Sequence, residues 1–153
     1  MKISSFRYEY YFLSNFYPLS DGVYFEGEWY PTIEHAYQAA KTLDLDKRHQ
    51  IWQAISPAEA KRLGRSLETL RPDWDAIKDS IMLQLLKQKF AGNGLRNELD
   101  NTRGMELEEG NTWHDNYWGK CYCHVCIRTT QAENKLGEML MAIRDKEYHR
   151  PEG

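Results

Sequence analysis

The sequence predicts a mainly α fold, a single multihelical domain over residues 1–153 with a small β element. Three observations predict it. Helix-start signals recur at Thr32, at Ser56-Pro57-Ala58-Glu59 and at Pro72-Asp73. Between Trp74 and Phe90 the apolar residues Ile77, Ile81 and Leu85, with Trp74, Met82 and Leu86, fall at helical spacing and make one core stripe. Runs rich in β-branched and aromatic residues are few and short.

Taken in order, the start reads as extended. Residues 23–29 read as strand, with turn signals at Asp21-Gly22 and Glu26-Gly27. Pro31-Thr32 opens a helix over 33–43, with Thr32 as its cap. A second helix is expected over 48–55. Ser56-Pro57-Ala58-Glu59 has the form of a capping box with proline at the first helical position, and starts a helix running to about Arg65. The next covers 74–90 and stops at Gly92-Asn93-Gly94. Residues 95–99 form a short helix, 105–109 a strand, and 110–120 a polar and aromatic loop. Asn134 caps the last helix, 135–148, with Leu136, Leu140 and Ile143 inward.

A chain of 153 residues suits one domain and can bury a core without metal or disulfide. With 20 basic and 23 acidic side chains the formal charge is −3, which disfavours holding nucleic acid by general phosphate attraction and leaves room for a local basic pocket. No apolar segment is long enough to span a bilayer, and the first ten residues lack a signal-peptide core. The three cysteines sit together at Cys121, Cys123 and Cys126. The expected location is reducing and cytoplasmic, with no membrane partner.

Five segments carry possible chemistry. In Glu34-His35-Ala36-Tyr37-Gln38-Ala39-Ala40-Lys41, residues Glu34, Tyr37, Gln38 and Lys41 share one helical face. They offer an acid, a ring, an amide and an amine; the plainer reading is a solvated helix face. Residues 108–119 hold the carboxylates Glu109 and Asp115 and the rings Trp113 and Trp118, which can stack on a base; the plainer reading is a loop anchored by indoles, with Asp115 making turn hydrogen bonds. In 12–18, Asn15 can read a base edge or a ribose hydroxyl and Phe16 can stack, or the rings simply fill the core. Lys61, Arg62 and Arg65, with Arg71 and Lys78, include residues suited to phosphate, although Lys61 reads as an ordinary helix-end cation. Finally, Cys121-Tyr122-Cys123-His124-Val125-Cys126 offers three thiols and an imidazole. The spacing only half meets the rules for zinc and no second pair exists, so no metal and no cofactor are expected.

In this order the segments resemble the YbiA-like, or NADAR, family. The matching stretches are FLSNFYP (12–18), YPTIEHAYQAAK (30–41), SPAEAKRLGR (56–65), RPDWDAIKDSIM (71–82), LKQKF (86–90), the loop ending in DNYWG (115–119) and NKLGEMLMAIR (134–144). They span nearly the whole chain. The resemblance implies a mainly helical fold around a cleft and an N-glycosidase activity. Members are associated with hydrolysis of early riboflavin-pathway intermediates, the phosphoribosylaminopyrimidines, and others with removal of ADP-ribose from guanine. Glu34, Lys41, Asp115 and Trp118 lie at the family's most recognisable positions, and Asn15, Phe16 and Arg65 in matching stretches that line the pocket. The cysteine-rich insert and the 110–114 loop vary in the family, so His114 is not expected to be essential.

The resemblance therefore implies cleavage of a ribosyl C–N bond by two groups, Glu34 and Asp115, in roles that stay unordered, with Glu109 in reserve. Lys41 permits a Schiff base at the sugar C1. Asn15, Phe16, Tyr37, Arg65, Trp113, Trp118 and Gly119 would bind substrate. The expected partner is a small ribosyl phosphate or an ADP-ribosylated nucleobase, without a stable nucleic-acid complex. The competing readings are an ADP-ribosyl hydrolase acting on guanine and a sensor that binds NAD or ADP-ribose without turnover.

Overall fold

Side-chain caps open three helices of the first region. Thr32 Oγ1 accepts the His35 N–H at 3.1 Å and opens α1, Ile33–Ala40. Asp44 accepts from Asp46 and Lys47 N–H and opens α2, Leu45–Trp52, so this helix starts three residues earlier than its apolar pattern predicts. Ser56 Oγ accepts from Glu59 N–H at 3.1 Å and opens α3, Pro57–Arg65. These caps satisfy backbone donors that a helix start leaves without partners.

The computed structural model describes residues 1–148, and its contacts divide the chain into two units. The central unit is Asn15–Leu95. It begins with a hairpin of β1, Val23–Phe25, and β2, Glu28–Tyr30, antiparallel with Val23 opposite Tyr30. Its turn falls on Glu26 and Gly27, both at positive φ (39° and 98°), the geometry that a tight two-residue hairpin turn requires. Then come α1, α2, α3 and α4, the last spanning Trp74–Ala91. The core joins Val23, Phe25, Tyr30, Ile33, Ala36, Ala39, Ala40, Ile51, Met82, Leu85, Leu86 and Phe90, all buried. Of the predicted stripe on α4 only Ile77 is half-buried rather than buried.

The terminal unit is Met1–Ser14 with Arg96–Gly153. Its start is not uniformly extended: after the short strand Lys2–Ile3 the chain makes a 3₁₀ helix, Tyr8–Leu13. Lys2–Ile3 pairs in parallel with Glu106–Leu107, and Gly110–Asn111 with Lys120–Cys121. The predicted loop 110–120 thus begins and ends in strand. The helices are α5, Arg96–Asp100, the four-residue α6, Cys126–Thr129, which sequence spacing did not predict, and α7, Lys135–Tyr148. Leu136, Leu140 and Ile143 of α7 are buried as expected. The expected side-chain cap on α7 takes another form. Asn134 Oδ1 accepts the Glu109 N–H at 3.0 Å, while its Nδ2 donates to Leu107 O at 2.9 Å. The backbone N–H groups of Glu133, Asn134, Lys135 and Leu136 donate to the carbonyls of Asn116, Gly119, Tyr117 and Trp118. Among the described residues no helix is long and apolar enough to cross a membrane. The architecture is mainly α with a small β element.

Candidate active site

Helix α1 is not a solvated face. All eight of its residues are buried, and Glu34 is only 7% exposed. Glu34 is held from two directions: its N–H donates to Asn15 O at 3.0 Å, and its Oε1 accepts from Gln38 Nε2 at 2.7 Å. Burial raises the Glu34 carboxyl above the ordinary carboxylic value. The Gln38 bond and the positive charges of Lys61, Lys41 and Arg65 oppose that shift without cancelling it. Two turns beyond Glu34, burial lowers the Lys41 ammonium. Glu34 pulls the other way, and Arg65, Lys61 and Lys78 add to the lowering. The Lys41 Nζ lies 5.5 Å from the centre of the Tyr37 ring, which packs on Trp74 with centroids 5.1 Å apart.

Helix α3 delivers two of these cations because it can lie close to α1. A Cβ built at Gly64 would sit 1.9 Å from Gln38 Oε1, so only glycine permits the approach. Lys61 and Arg65, four residues apart on α3, share one helical face, and both act electrostatically on Glu34. Lys61 also lies 6.0 Å from the centre of the Phe16 ring. This corrects the sequence reading of Lys61 as a mere helix-end cation; its position three residues before a helix glycine was the available signal. Arg62 goes the other way, exposed and bonded to Glu59 at 2.9 Å. Arg71 is tied to Asp73 at 2.7 Å, and Lys78 to Asp75 at 3.4 Å.

Two side-chain oxygens beside the acid are buried without a hydrogen-bond partner among the described residues: Asn15 Oδ1 and Gln38 Oε1. The Asn15 amide nitrogen points to Met82 Sδ at 3.7 Å. Buried oxygens of this kind are expected to take a donor, and hydroxyl groups of a ligand supply one. Two concavities elsewhere in the central unit, of about 360 Å³ along Thr42, Lys47, Leu63 and Glu68 and about 390 Å³ along Leu19, Trp29, Tyr30 and Trp52, are lined by neither Glu34 nor Lys41.

In the terminal unit Asp115 shapes its own turn. Its Oδ1 accepts the N–H groups of Tyr117 at 3.1 Å and Trp118 at 2.9 Å. Asn111 braces the same residue, accepting the Asp115 N–H at 3.2 Å and donating to its carbonyl at 2.8 Å. Glu109 is half-buried, and its Oε2 accepts from Asn111 Nδ2 at 3.4 Å. Gly119 has no room for a side chain, since a Cβ there would lie 2.0 Å from Glu109 O and 2.2 Å from Glu109 Oε2. Trp113 is 44% exposed, while Trp118 is half-buried and meets Tyr117 edge-on at 4.9 Å. The buried acid here is Glu108, paired with Lys2 at 3.5 Å and accepting from the Tyr122 hydroxyl. It was not singled out from sequence.

The central unit thus places one buried carboxyl among cations within a mainly helical fold of few, short strands. The sequence profile described as the NADAR domain matches residues 4–146. The chain belongs to the NADAR domain family. It is 35% identical over 123 residues to the N-glycosidase YbiA of Escherichia coli strain K12, covering 79% of this chain and 72% of that protein. The NMR structure of E. coli YbiA superposes with a TM-score of 0.76 at 32% identity, over 97% of this chain and 84% of that one. An N-glycosidase of Nostoc punctiforme is 34% identical over 137 residues, 87% of this chain and 83% of its own. A Vibrio vulnificus protein named for riboflavin biosynthesis is 34% identical over 143 residues; the match covers 92% of this chain and 36% of that longer one.

Proposed function

We propose that this chain is an N-glycosidase that hydrolyses the bond between C1 of a phosphorylated ribose and a nitrogen, with phosphoribosylaminopyrimidines as its substrates. The observation that supports this most is the buried Glu34 carboxyl, set among Lys41, Lys61 and Arg65. A carboxyl whose proton affinity burial raises is better suited to give that proton to a departing nitrogen. Water then adds its hydroxide to C1 and returns a proton, leaving the free amine and ribose phosphate. Arg65 and Lys61 are the proposed phosphate holders, and Asn15 Oδ1 and Gln38 Oε1 the acceptors for sugar hydroxyls. The substrate class follows the N-glycosidase names of the relatives and the riboflavin-biosynthesis name of the Vibrio protein.

The lowered Lys41 supports a covalent variant of the route. The Lys41 amine attacks C1 as the C1–N bond breaks and the departing nitrogen takes the Glu34 proton; the resulting ribosyl-ammonium passes a proton to the ring oxygen as the C1–O bond opens, and water hydrolyses the iminium so formed to free Lys41 and ribose phosphate. Borohydride added during turnover should fix a ribosyl adduct to Lys41; an unmodified Lys41 peptide under active turnover rejects the covalent variant and keeps direct hydrolysis.

A panel of ribosyl-N compounds, scored by mass spectrometry, tests the proposal. Ribose phosphate released from phosphoribosylaminopyrimidines is the expected result. Release confined to ADP-ribosylated guanine would replace the substrate, and tight NAD binding with no cleavage of any member would replace the enzyme by a sensor.

A further inference from the structure

We propose that His114, Cys121, Cys123 and Cys126 form a structural zinc site in the terminal unit. Their ligand atoms all lie within 4.8 Å of one another. The His114 Nδ1 is 3.3 Å from Cys126 Sγ, 3.4 Å from Cys123 Sγ and 3.8 Å from Cys121 Sγ. With Zn–S near 2.3 Å and Zn–N near 2.0–2.1 Å, the edges of a tetrahedron are about 3.8 Å for sulfur to sulfur and about 3.6 Å for sulfur to nitrogen. The three measured edges bracket that value.

Hydrogen bonding does not account for the cluster. An imidazole nitrogen carries either one lone pair or one proton, so Nδ1 can hydrogen-bond only one of the three sulfurs gathered around it. A cation at the centre gives all four atoms the same partner. The backbone agrees: the Cys123 N–H donates to Cys121 Sγ at 3.4 Å, and the Cys126 N–H to Cys123 Sγ at 3.3 Å. Donors aimed at sulfur favour the thiolate form that a metal needs.

The donor set selects the ion. Three sulfurs and one nitrogen suit zinc and reject hard cations, and four protein ligands leave no open position for a reacting water. Binding forms three Zn–S bonds and one Zn–N bond, releases the three thiol protons to solvent and moves no electrons; His114 donates through Nδ1 with its proton on Nε2. The ring in the cluster is His114 and not His124, the one adjacent in sequence, which is exposed and outside the group. That is why segment spacing alone pointed away from a metal. The site ties the turn that holds Trp113 and Asp115 to the Cys121–Cys126 arm. It is independent of the proposed glycosidase chemistry.

Metal analysis of the full chain, purified without chelator from zinc-supplemented cells, tests the proposal. We expect one zinc per chain and, on titrating the metal-free reduced protein with cobalt, the visible bands and near-ultraviolet thiolate charge transfer of a tetrahedral centre. His114→Ala should weaken zinc by at least about 100-fold, the upper end of what losing an outer-shell partner costs. His114→Cys should retain the metal, and His124→Ala should leave affinity unchanged. Protein isolated without metal that stays colourless with cobalt would overturn the site, as would a loss confined to His124→Ala. Because zinc content and the cobalt spectrum are read without any substrate, neither result depends on turnover.

Discussion

Glu34 and Asp115 are both carboxylates that the sequence singles out, yet their surroundings differ. Glu34 stands on a fully buried helix, with one amide partner and three cations in electrostatic reach. Asp115 is half-buried in a turn and gives one oxygen to two backbone N–H groups. The contrast teaches that matching a motif does not assign a role. The environment of Glu34 alters its proton affinity, which is what acid–base chemistry uses, whereas the bonds of Asp115 fix backbone shape.

The sharpest way to break that comparison is paired substitution. Glu34→Gln should lower turnover by about 10² or more, the usual loss for a positioned acid or base. Asp115→Asn keeps an oxygen acceptor for the Tyr117 and Trp118 N–H groups and should stay within a few-fold of the parent enzyme. Asp115→Ala should destabilise the terminal unit by about 1 kcal/mol or more, since two amides lose their partner. Equal collapse of activity in Glu34→Gln and Asp115→Asn, measured with the same substrate, would make both acids chemical.

A smaller effect tests how Glu34 is held. Gly64→Ala forces its methyl against the Gln38 amide, and should cost about 1–3 kcal/mol in urea unfolding while lowering turnover through the displaced Gln38–Glu34 bond. Unchanged stability and turnover would show that Gln38 does not position the acid.

The smallest effect is one of pH. The folded carboxyl of Glu34 lies above its ordinary 4.5, so the native state binds more protons than the unfolded chain as pH rises past that value. Stability therefore falls with rising pH until the folded group also ionises. Glu34→Gln lacks this loss and should gain stability relative to the parent chain as pH rises above 4.5. Parallel melting curves for the two proteins across that range would remove the buried-acid account.

The helices were legible because their caps and apolar spacing are local. Thr32 and Ser56 cap as their sequence context predicts, and α4 has the predicted stripe apart from Ile77. Asp44 was readable as a cap but lies before a polar helix with little apolar periodicity, so the predicted start slipped to 48. The site was half legible. Glu34, Gln38 and Lys41 share a face by spacing alone, but whether that face is buried depends on α3 packing through Gly64, a contact between distant residues. The proposed ligand His114 was not readable from spacing either, because the turn that follows it separates it from the three cysteines in sequence. Short-range pattern reports elements, whereas burial and ligand sets come from long-range closure.

The first N–H groups of α7 have a timing consequence. They are satisfied by the carbonyls of Asn116, Tyr117, Trp118 and Gly119. During synthesis those carbonyls leave the ribosome before the donors that will hold them, and the terminal unit also requires the first residues of the chain, because Lys2–Ile3 pairs with Glu106–Leu107. A nascent chain halted before residue 133 therefore has a central unit ready to fold and a tryptophan-bearing loop still lacking its scaffold. Maturation of that loop therefore waits for synthesis of residues 133–136.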